Sequence, residues 1–418
     1  MSFRKFISFI APLMIASLFL VSNTEAATTG SLVYVKNHNV WLSDSDGSNA
    51  HQVTSSGSEE SPWRSPSQAD DGTIAASFGT RVVRMEQNGE VLSSIDPPPL
   101  SNSVSHMQDG VPVDVAISPD GKVIAWTYYT YECPIGVECG GRYVTGYTDA
   151  AKASPETKYG HTYFMQPSWV GNKRTLQSGG YGSHVMIDEL GSGDPVHWFD
   201  DSDYAGDSTD LGDAELSRDG KRIAAVRGYG SSTHIIWFKV NGNALSGPPP
   251  AVPEPECLTG ELEGLSGPTW APDGQTLAWT EPDGIWLKAT PGTCDSPQPK
   301  LLIPGGSEPD FGPAENNPGP VKKFKVKIMN ITLSKALKKG MTAKVSGARA
   351  GKVRFSLLKA KKLVGSGKAT VGKSGSATVK ATFTRKARKS LKKVSRLKLT
   401  AKVSAGEDVA TFIVTFKG

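Results

Sequence analysis

The sequence predicts an all-β chain. A six-bladed β-propeller, its ring closed by the last strand completing the first blade, is followed by a small immunoglobulin-like β-sandwich. Three observations predict this. Gly and Pro together number 73 of 418 residues, and runs of alternating apolar and polar residues lie between them, the pattern of a turn-rich β protein. A strand–turn unit built on Asp-Gly recurs about every 50 residues, the length of one propeller blade. The charge divides sharply along the chain: residues 27–320 carry 17 basic and 38 acidic side chains, residues 321–418 carry 27 and 2. A net −21 followed by a net +25 marks a domain boundary.

The first 26 residues read as a secretory signal. Arg4 and Lys5 precede an apolar run from Phe6 to Val21, and Thr24-Glu25-Ala26 offers small residues at the cleavage spacing. The run is short for a bilayer span. The expected location is therefore secreted or at a bacterial cell envelope. Four cysteines, Cys133, Cys139, Cys257 and Cys294, allow three disulfide pairings in such a compartment. Cys133 and Cys139 share one short loop, and Cys257 and Cys294 occupy similar places in successive repeats, which favours 133–139 and 257–294. The spacing does not suit a zinc site.

The repeat unit is clearest in Ser118-Pro119-Asp120-Gly121-Lys122-Val123-Ile124-Ala125-Trp126 and Ala271-Pro272-Asp273-Gly274-Gln275-Thr276-Leu277-Ala278-Trp279. It recurs at Ser217-Arg218-Asp219-Gly220 and Asp70-Asp71-Gly72, and in degenerate form at Trp169-Val170-Gly171-Asn172. Asp-Gly suits a tight hairpin turn that needs positive φ, and the alternation after it suits a strand. A second signature keeps the phase: an apolar anchor with Gly six residues later, as in Trp41 and Gly47, Val83 and Gly89, or Trp286 and Gly292.

The array begins at Leu32-Val33-Tyr34-Val35 with what resembles a second strand. The missing first strand is at the far end, in Pro309-Asp310-Phe311-Gly312-Pro313. Ring closure gives six blades, with seven as the main alternative: 31–55 with 309–313, then approximately 61–97, 112–150, 166–200, 213–260 and 267–304. These units resemble the PD40 type of WD40-like repeat found in TolB-like and prolyl-oligopeptidase propellers. That resemblance implies the fold and leaves the activity open.

A linker is expected at 314–323, after a propeller at 27–313. The basic domain at 324–418 reads as seven strands: Phe324–Leu333, Met341–Ser346, Lys352–Leu358, Leu363–Thr370, Ser376–Phe383, Arg396–Val403 and Val409–Phe416. A helical stretch capped by Thr384 is expected at 384–393. The domain is similar to the Lys-rich β-sandwich modules of exported actinobacterial proteins. Its charge suits anionic cell-wall polymers or a membrane surface, or docking on the acidic propeller. Specific nucleic-acid binding is not expected, because stacking aromatics are nearly absent.

The sequence offers no catalytic constellation. There is no Gly-x-Ser-x-Gly elbow. Gly206-Asp207-Ser208-Thr209-Asp210 reads as a loop. The seven histidines, 38, 51, 106, 161, 184, 197 and 234, are dispersed. The richest acidic segment holds Asp200, Asp201, Asp203, Asp207 and Asp210, candidates for a Ca²⁺ site beside the alternative of a solvated acidic connection, since their spacing fits no defined loop. No other cofactor is expected. The expectation is a monomeric, non-catalytic exported protein. Its propeller would bind a protein or glycan, and its basic domain would act as an electrostatic anchor. The alternative is a propeller enzyme, a polysaccharide lyase or hydrolase, working in the central tunnel.

Overall fold

The computed structural model describes residues 30–101, 107–132, 139–152, 158–162, 164–179, 184–203, 210–289, 294–319, 324–348, 351–372, 375–405 and 408–417. The expected signal at 1–26 and Cys133 lie outside the described residues.

Asp-Gly turns set the blades. In the best formed, Gly121 has φ +70°, a conformation open to glycine, and its N–H donates to the Ser118 carbonyl at 2.8 Å. Asp120 Oδ1 accepts from the Lys122 N–H at 3.1 Å and from Ser118 Oγ at 2.8 Å, which closes the turn from the side chain. Asp219 repeats both contacts, and Asp273, with Ala271 in place of the serine, repeats the backbone one through the Gln275 N–H. Each turn joins an innermost strand to the next strand outward.

Six four-stranded antiparallel sheets result, one per blade. Blade 1 contains Ser31–Lys36, Asn39–Asp44 and His51–Gln52, with Gly306–Gly312 as its innermost strand. Leu32 pairs with Phe311 and Val33 with Asp310, so the last strand closes the ring as the ends of the repeat array imply. Blades 2, 4, 5 and 6 span Trp63–Ile95, Phe164–Phe199, Leu211–Leu258 and Ser266–Pro304. Blade 3 departs from the expected 112–150. Its hairpin Val123–Glu132/Gly140–Asp149 runs ten residues a side, and its fourth strand is His161–Thr162. A small three-stranded sheet of Leu100–Ser101, Met107–Gln108 and Lys158–Tyr159 lies beside it.

Apolar clusters fill the seams between blades. Leu32 and Tyr34 pack towards blade 6, and Val33 with Val40 and Leu42 towards blade 2. A strand buried on both faces reads as an unbroken apolar run, which explains Leu32-Val33-Tyr34-Val35. The seam between blades 3 and 4 is different and carries a buried polar network. Tyr147 Oη donates to Asp188 Oδ2 at 2.5 Å and lies 2.7 Å from Thr175 Oγ1, while Gln177 Nε2 donates to both Tyr147 Oη (2.6 Å) and Asp188 Oδ2 (2.9 Å). Burial, with Asp188 alongside, pushes the Tyr147 phenol well above its usual range.

Cys257 and Cys294 are joined, tying the outer strand of blade 5 to blade 6. Cys139 is disulfide-bonded as well. Residues 314–317 of the expected linker are strapped to the propeller: Ser31 Oγ donates to the Ala314 carbonyl at 2.7 Å, and the Asn317 N–H to Gln87 Oε1 at 2.7 Å.

The basic region forms seven strands in the order Lys325–Ile328, Met341–Ser346, Ala377–Phe383, Lys362–Val371, Gly351–Lys359, Arg396–Ala405 and Asp408–Lys417. A set of three and a set of four are joined through only two residue pairs, Gly365 with Phe383 and Ser366 with Thr382. Together the two sets make one nearly closed seven-stranded sheet around a core that includes Phe355, Val379 and Leu399. Helix Arg385–Leu391 starts where expected, and Thr384 Oγ1 accepts from the Ala387 N–H at 3.2 Å. A second helix, Leu333–Lys339, follows a first strand that ends at Ile328 rather than Leu333. Leu333, Ala336 and Leu337 have helical spacing, and Ala336 and Leu337 are buried.

Candidate functional site

The innermost strands of the six blades surround an axial cavity of about 630 Å³. Its lining follows from a defect in the repeat. In each innermost strand the ladder shifts register near the middle. The residue six positions before the turn Asp, or its equivalent, sits at that shift and lines the cavity: Ser65, Asp114, Gln166, Asp213, Gly267 and Glu308. Five of these six have φ between +47° and +59°. The kink turns the polar group along the ring towards the next blade.

A circular chain of hydrogen bonds results. Glu308 Oε2 accepts from the Ser65 N–H, and Ser65 Oγ accepts from the Val115 N–H at 2.7 Å. Asp114 Oδ2 accepts from the Gln166 N–H at 3.0 Å, and Gln166 Oε1 from the Asp213 N–H at 3.0 Å. Asp213 Oδ2 accepts from the Gly267 N–H at 2.5 Å. Gly267 has no side chain to continue the pattern, and Thr280 Oγ1 accepts from the Glu308 N–H at 3.0 Å instead.

A second tier lies two residues further along. Asp310 Oδ2 accepts from the Gln68 N–H at 2.7 Å, Glu215 Oε1 from the Trp270 N–H at 2.8 Å, and Thr269 Oγ1 from the Phe311 N–H at 3.1 Å. At the Asp-Gly turn end, Arg218 of blade 5 reaches Asp70 of the opposite blade at 2.7 Å, so an ion pair spans the axis.

Five half-buried carboxyls line this channel, and loss of hydration raises the proton affinity of each. Burial pushes Asp213 up to about 6; Asp114 and Glu308 add to this, against the Gly267 N–H. Burial and the charge of Asp310 push Glu215 up to about 8, and burial lifts Asp310 to about 6. Asp114 and Glu308 are raised by the same burial.

The acidic segment 200–210 is spread over separate partners. Asp201 is buried, with Oδ1 2.6 Å from Arg227 Nε and Oδ2 3.0 Å from Nη2. Asp203 Oδ2 accepts from the Asp200 N–H at 3.1 Å. Asp210 is exposed, and its carbonyl accepts from the Gly228 N–H at 2.7 Å. Asp207 lies outside the described residues. Asp200 instead meets two histidines that no sequence motif joins to it. Its Oδ2 is 3.5 Å from His184 Nε2 and 3.3 Å from His197 Nε2. Burial opposes ionisation of Asp200, but the hydroxyl and N–H of Ser202 and the two imidazoles outweigh it and hold the carboxyl below its usual range.

The closed ring of six four-stranded blades defines a β-propeller protein with an acidic axial channel. No family model matches the sequence, and no curated protein matches it either. Among solved structures the chain is similar to TolB from Acinetobacter baumannii, at 18% identity over 68% of this chain and 67% of that one, TM-score 0.44. It is also similar to a putative TolB from Agrobacterium tumefaciens, at 13% identity over 67% and 91%, TM-score 0.41. A puromycin-hydrolyzing peptidase from Mycobacterium tuberculosis matches at 11% identity over 76% and 48%, TM-score 0.36. At these identities the likeness is one of fold alone.

Proposed function

We propose that the chain is an exported, monomeric, non-catalytic binding protein. The propeller presents a protein or glycan ligand surface at one end of the axial channel, and the basic domain holds the molecule against anionic envelope polymers. The observation that carries the anchoring role is the arrangement of cations on the seven-stranded sheet. Lys344, Lys352, Arg354, Lys368, Lys380, Lys398 and Lys402 are exposed at alternating positions, opposite in face to the buried apolar residues. Arg354 stands directly across from Lys368. Like charges opposite one another destabilise a sheet, so an anionic partner that neutralises them is favoured. The three-plus-four strand order supports reading this domain as immunoglobulin-like. The disulfide at Cys257–Cys294 supports an oxidising compartment. No helix among the described residues is long and apolar enough to cross a membrane.

The channel carboxyls support binding over catalysis because each is already engaged. Asp114, Asp213, Glu215, Glu308 and Asp310 all accept backbone N–H groups from the following blade. The enzyme reading draws its support from Glu215 and Asp310, a neighbouring carboxyl pair whose proton affinities are both raised by desolvation.

The test uses the full chain with a purified anionic wall polymer at about 50 and about 500 mM salt, where screening differs severalfold. Capture at low salt and release at high salt are expected. A variant with Lys352, Arg354, Lys368, Lys380 and Lys402 changed to Gln should bind at least tenfold more weakly, each lost contact also flattening the salt dependence. Capture indifferent to salt, or unchanged in that variant, overturns the anchor. Glycan cleavage that disappears in Glu215→Gln would replace the binding reading with the enzymatic one.

A further inference from the structure

We propose that His184, His197 and Asp200 form a site for a divalent transition metal of the zinc type on the outer half of blade 4. The site is separate from the axial channel and from the basic domain.

The ligand atoms are gathered by strand geometry. His184 opens the third strand of the blade, His184–Glu189, and His197 lies in the fourth, Val196–Phe199, with Asp200 immediately after it. Val185 pairs with Phe199 and Met186 with His197, so Trp198 is an extra residue in the outer strand. This bulge shifts the side-chain phase, so that His197 and Asp200, three residues apart, both turn towards His184. The imidazole rings meet edge to face, with centroids 4.7 Å apart.

The distances suit a shared ion. Asp200 Oδ2 faces both Nε2 atoms, at 3.5 and 3.3 Å. A direct charge-assisted N–H···O bond would be shorter, about 2.7–2.9 Å. Zinc bonds to His nitrogen and carboxylate oxygen are about 2.0–2.2 Å, and the edge of a regular tetrahedron of that size is about 3.3–3.5 Å. The second oxygen of Asp200 is committed elsewhere: Oδ1 accepts from the N–H of Ser202 at 2.7 Å and from its hydroxyl. Such an outer contact orients a ligating carboxylate through its free oxygen. Two imidazoles with one carboxylate select a nitrogen-preferring metal over Ca²⁺, which takes six to eight oxygens. The three side chains are 28%, 44% and 17% exposed, so an ion reaches them from solvent.

The repeat itself does not produce this trio. At the same register around the outer-strand bulge, blade 5 holds Ile236, Pro255 and Leu258, and blade 6 holds Gly284, Leu301 and Pro304. The donors are an addition to one blade, placed on a bulge that its neighbours share.

The experiment uses the full chain without a polyhistidine tag, stripped with chelator and then dialysed against micromolar zinc. Metal is counted by mass spectrometry, and Co²⁺ is substituted for its visible absorption. One tightly held equivalent and a tetrahedral cobalt spectrum are expected. His184→Ala and His197→Ala should each lose the equivalent, and Asp200→Asn should bind at least about tenfold more weakly. Because His197 is exposed, His197→Gln, with an unchanged melting temperature in the metal-free form, separates lost ligation from lost folding. Zinc no higher than in the dialysis buffer overturns the site, as does retention by the double histidine variant equal to that of the parent chain. A large excess of Ca²⁺ should not displace the zinc.

Discussion

Replacing Asp213 by Asn should stabilise the protein at neutral pH and leave it unchanged in acid. The carboxyl sits in the axial channel, where burial and the neighbouring Asp114 and Glu308 push its folded value to about 6, against 3.8 as usual for Asp. In the unfolded chain it ionises near pH 4. Between about pH 4 and about pH 6 the folded protein therefore holds more protons than the unfolded one, and stability falls as the pH rises. Above that window the loss is complete, at about 3 kcal/mol, since each pKa unit is worth about 1.4 kcal/mol. Asn has the same shape, keeps a carbonyl for the Gly267 N–H, and cannot ionise. The parent and Asp213→Asn should match within about 1 kcal/mol at pH 4. From there the variant should gain until about pH 6 and stay ahead, with its melting midpoint higher by on the order of 6 °C at pH 7.5. Differential scanning calorimetry of both proteins across this range measures the gap, and taking the difference cancels other groups that titrate. A gap that is constant with pH, or that closes as the pH rises, would refute the argument that the channel disfavours charge at this position.

Three further outcomes are expected. Arg227→Ala removes the guanidinium that pairs with buried Asp201 and should cost about 1–3 kcal/mol in denaturant unfolding; Asp201→Asn in the same chain should recover much of it. Tyr147→Phe removes the hub of the polar seam between blades 3 and 4, and should cost about 1–3 kcal/mol by the same measurement. Phe311→Ala empties a buried position on the closing strand and should cost about 3–5 kcal/mol; proteolysis cutting first within 306–317 would show that closure gives way before the blades do.

The propeller was legible because its information is local. An Asp-Gly turn needs only its own few residues, and Asp120 caps its turn at Lys122 and Ser118 whatever the rest of the chain does. The closing strand was legible for a related reason: an array that starts on a second strand and ends on a first has one way to satisfy both. The outer edge of blade 3 is not legible in the sequence because its hairpin extends well past the usual length, and a two-residue strand at 161–162 leaves no periodicity to read. The helix at Leu333–Lys339 is not legible in the sequence because so short an apolar run fits both periods.

The sites were less legible. Ser65, Asp114, Gln166, Asp213, Gly267 and Glu308 differ in type, so no motif unites them. Their common distance from the turn Asp was the available signal, and only ring closure gives that distance a meaning, by facing all six to one axis. His184 and His197 are separated by a turn and brought together with Asp200 by one extra residue in a strand.

By itself, the sequence determined the blade count, the closure, the Thr384 cap and the division of charge, because turns, alternation and composition act over short stretches of chain. Tertiary structure alone decided which carboxyls share the axial channel, which aspartate pairs with Arg227, and which meets two histidines. Those outcomes depend on distances between strands that are remote in sequence, and electrostatics and metal ligation are set by distance.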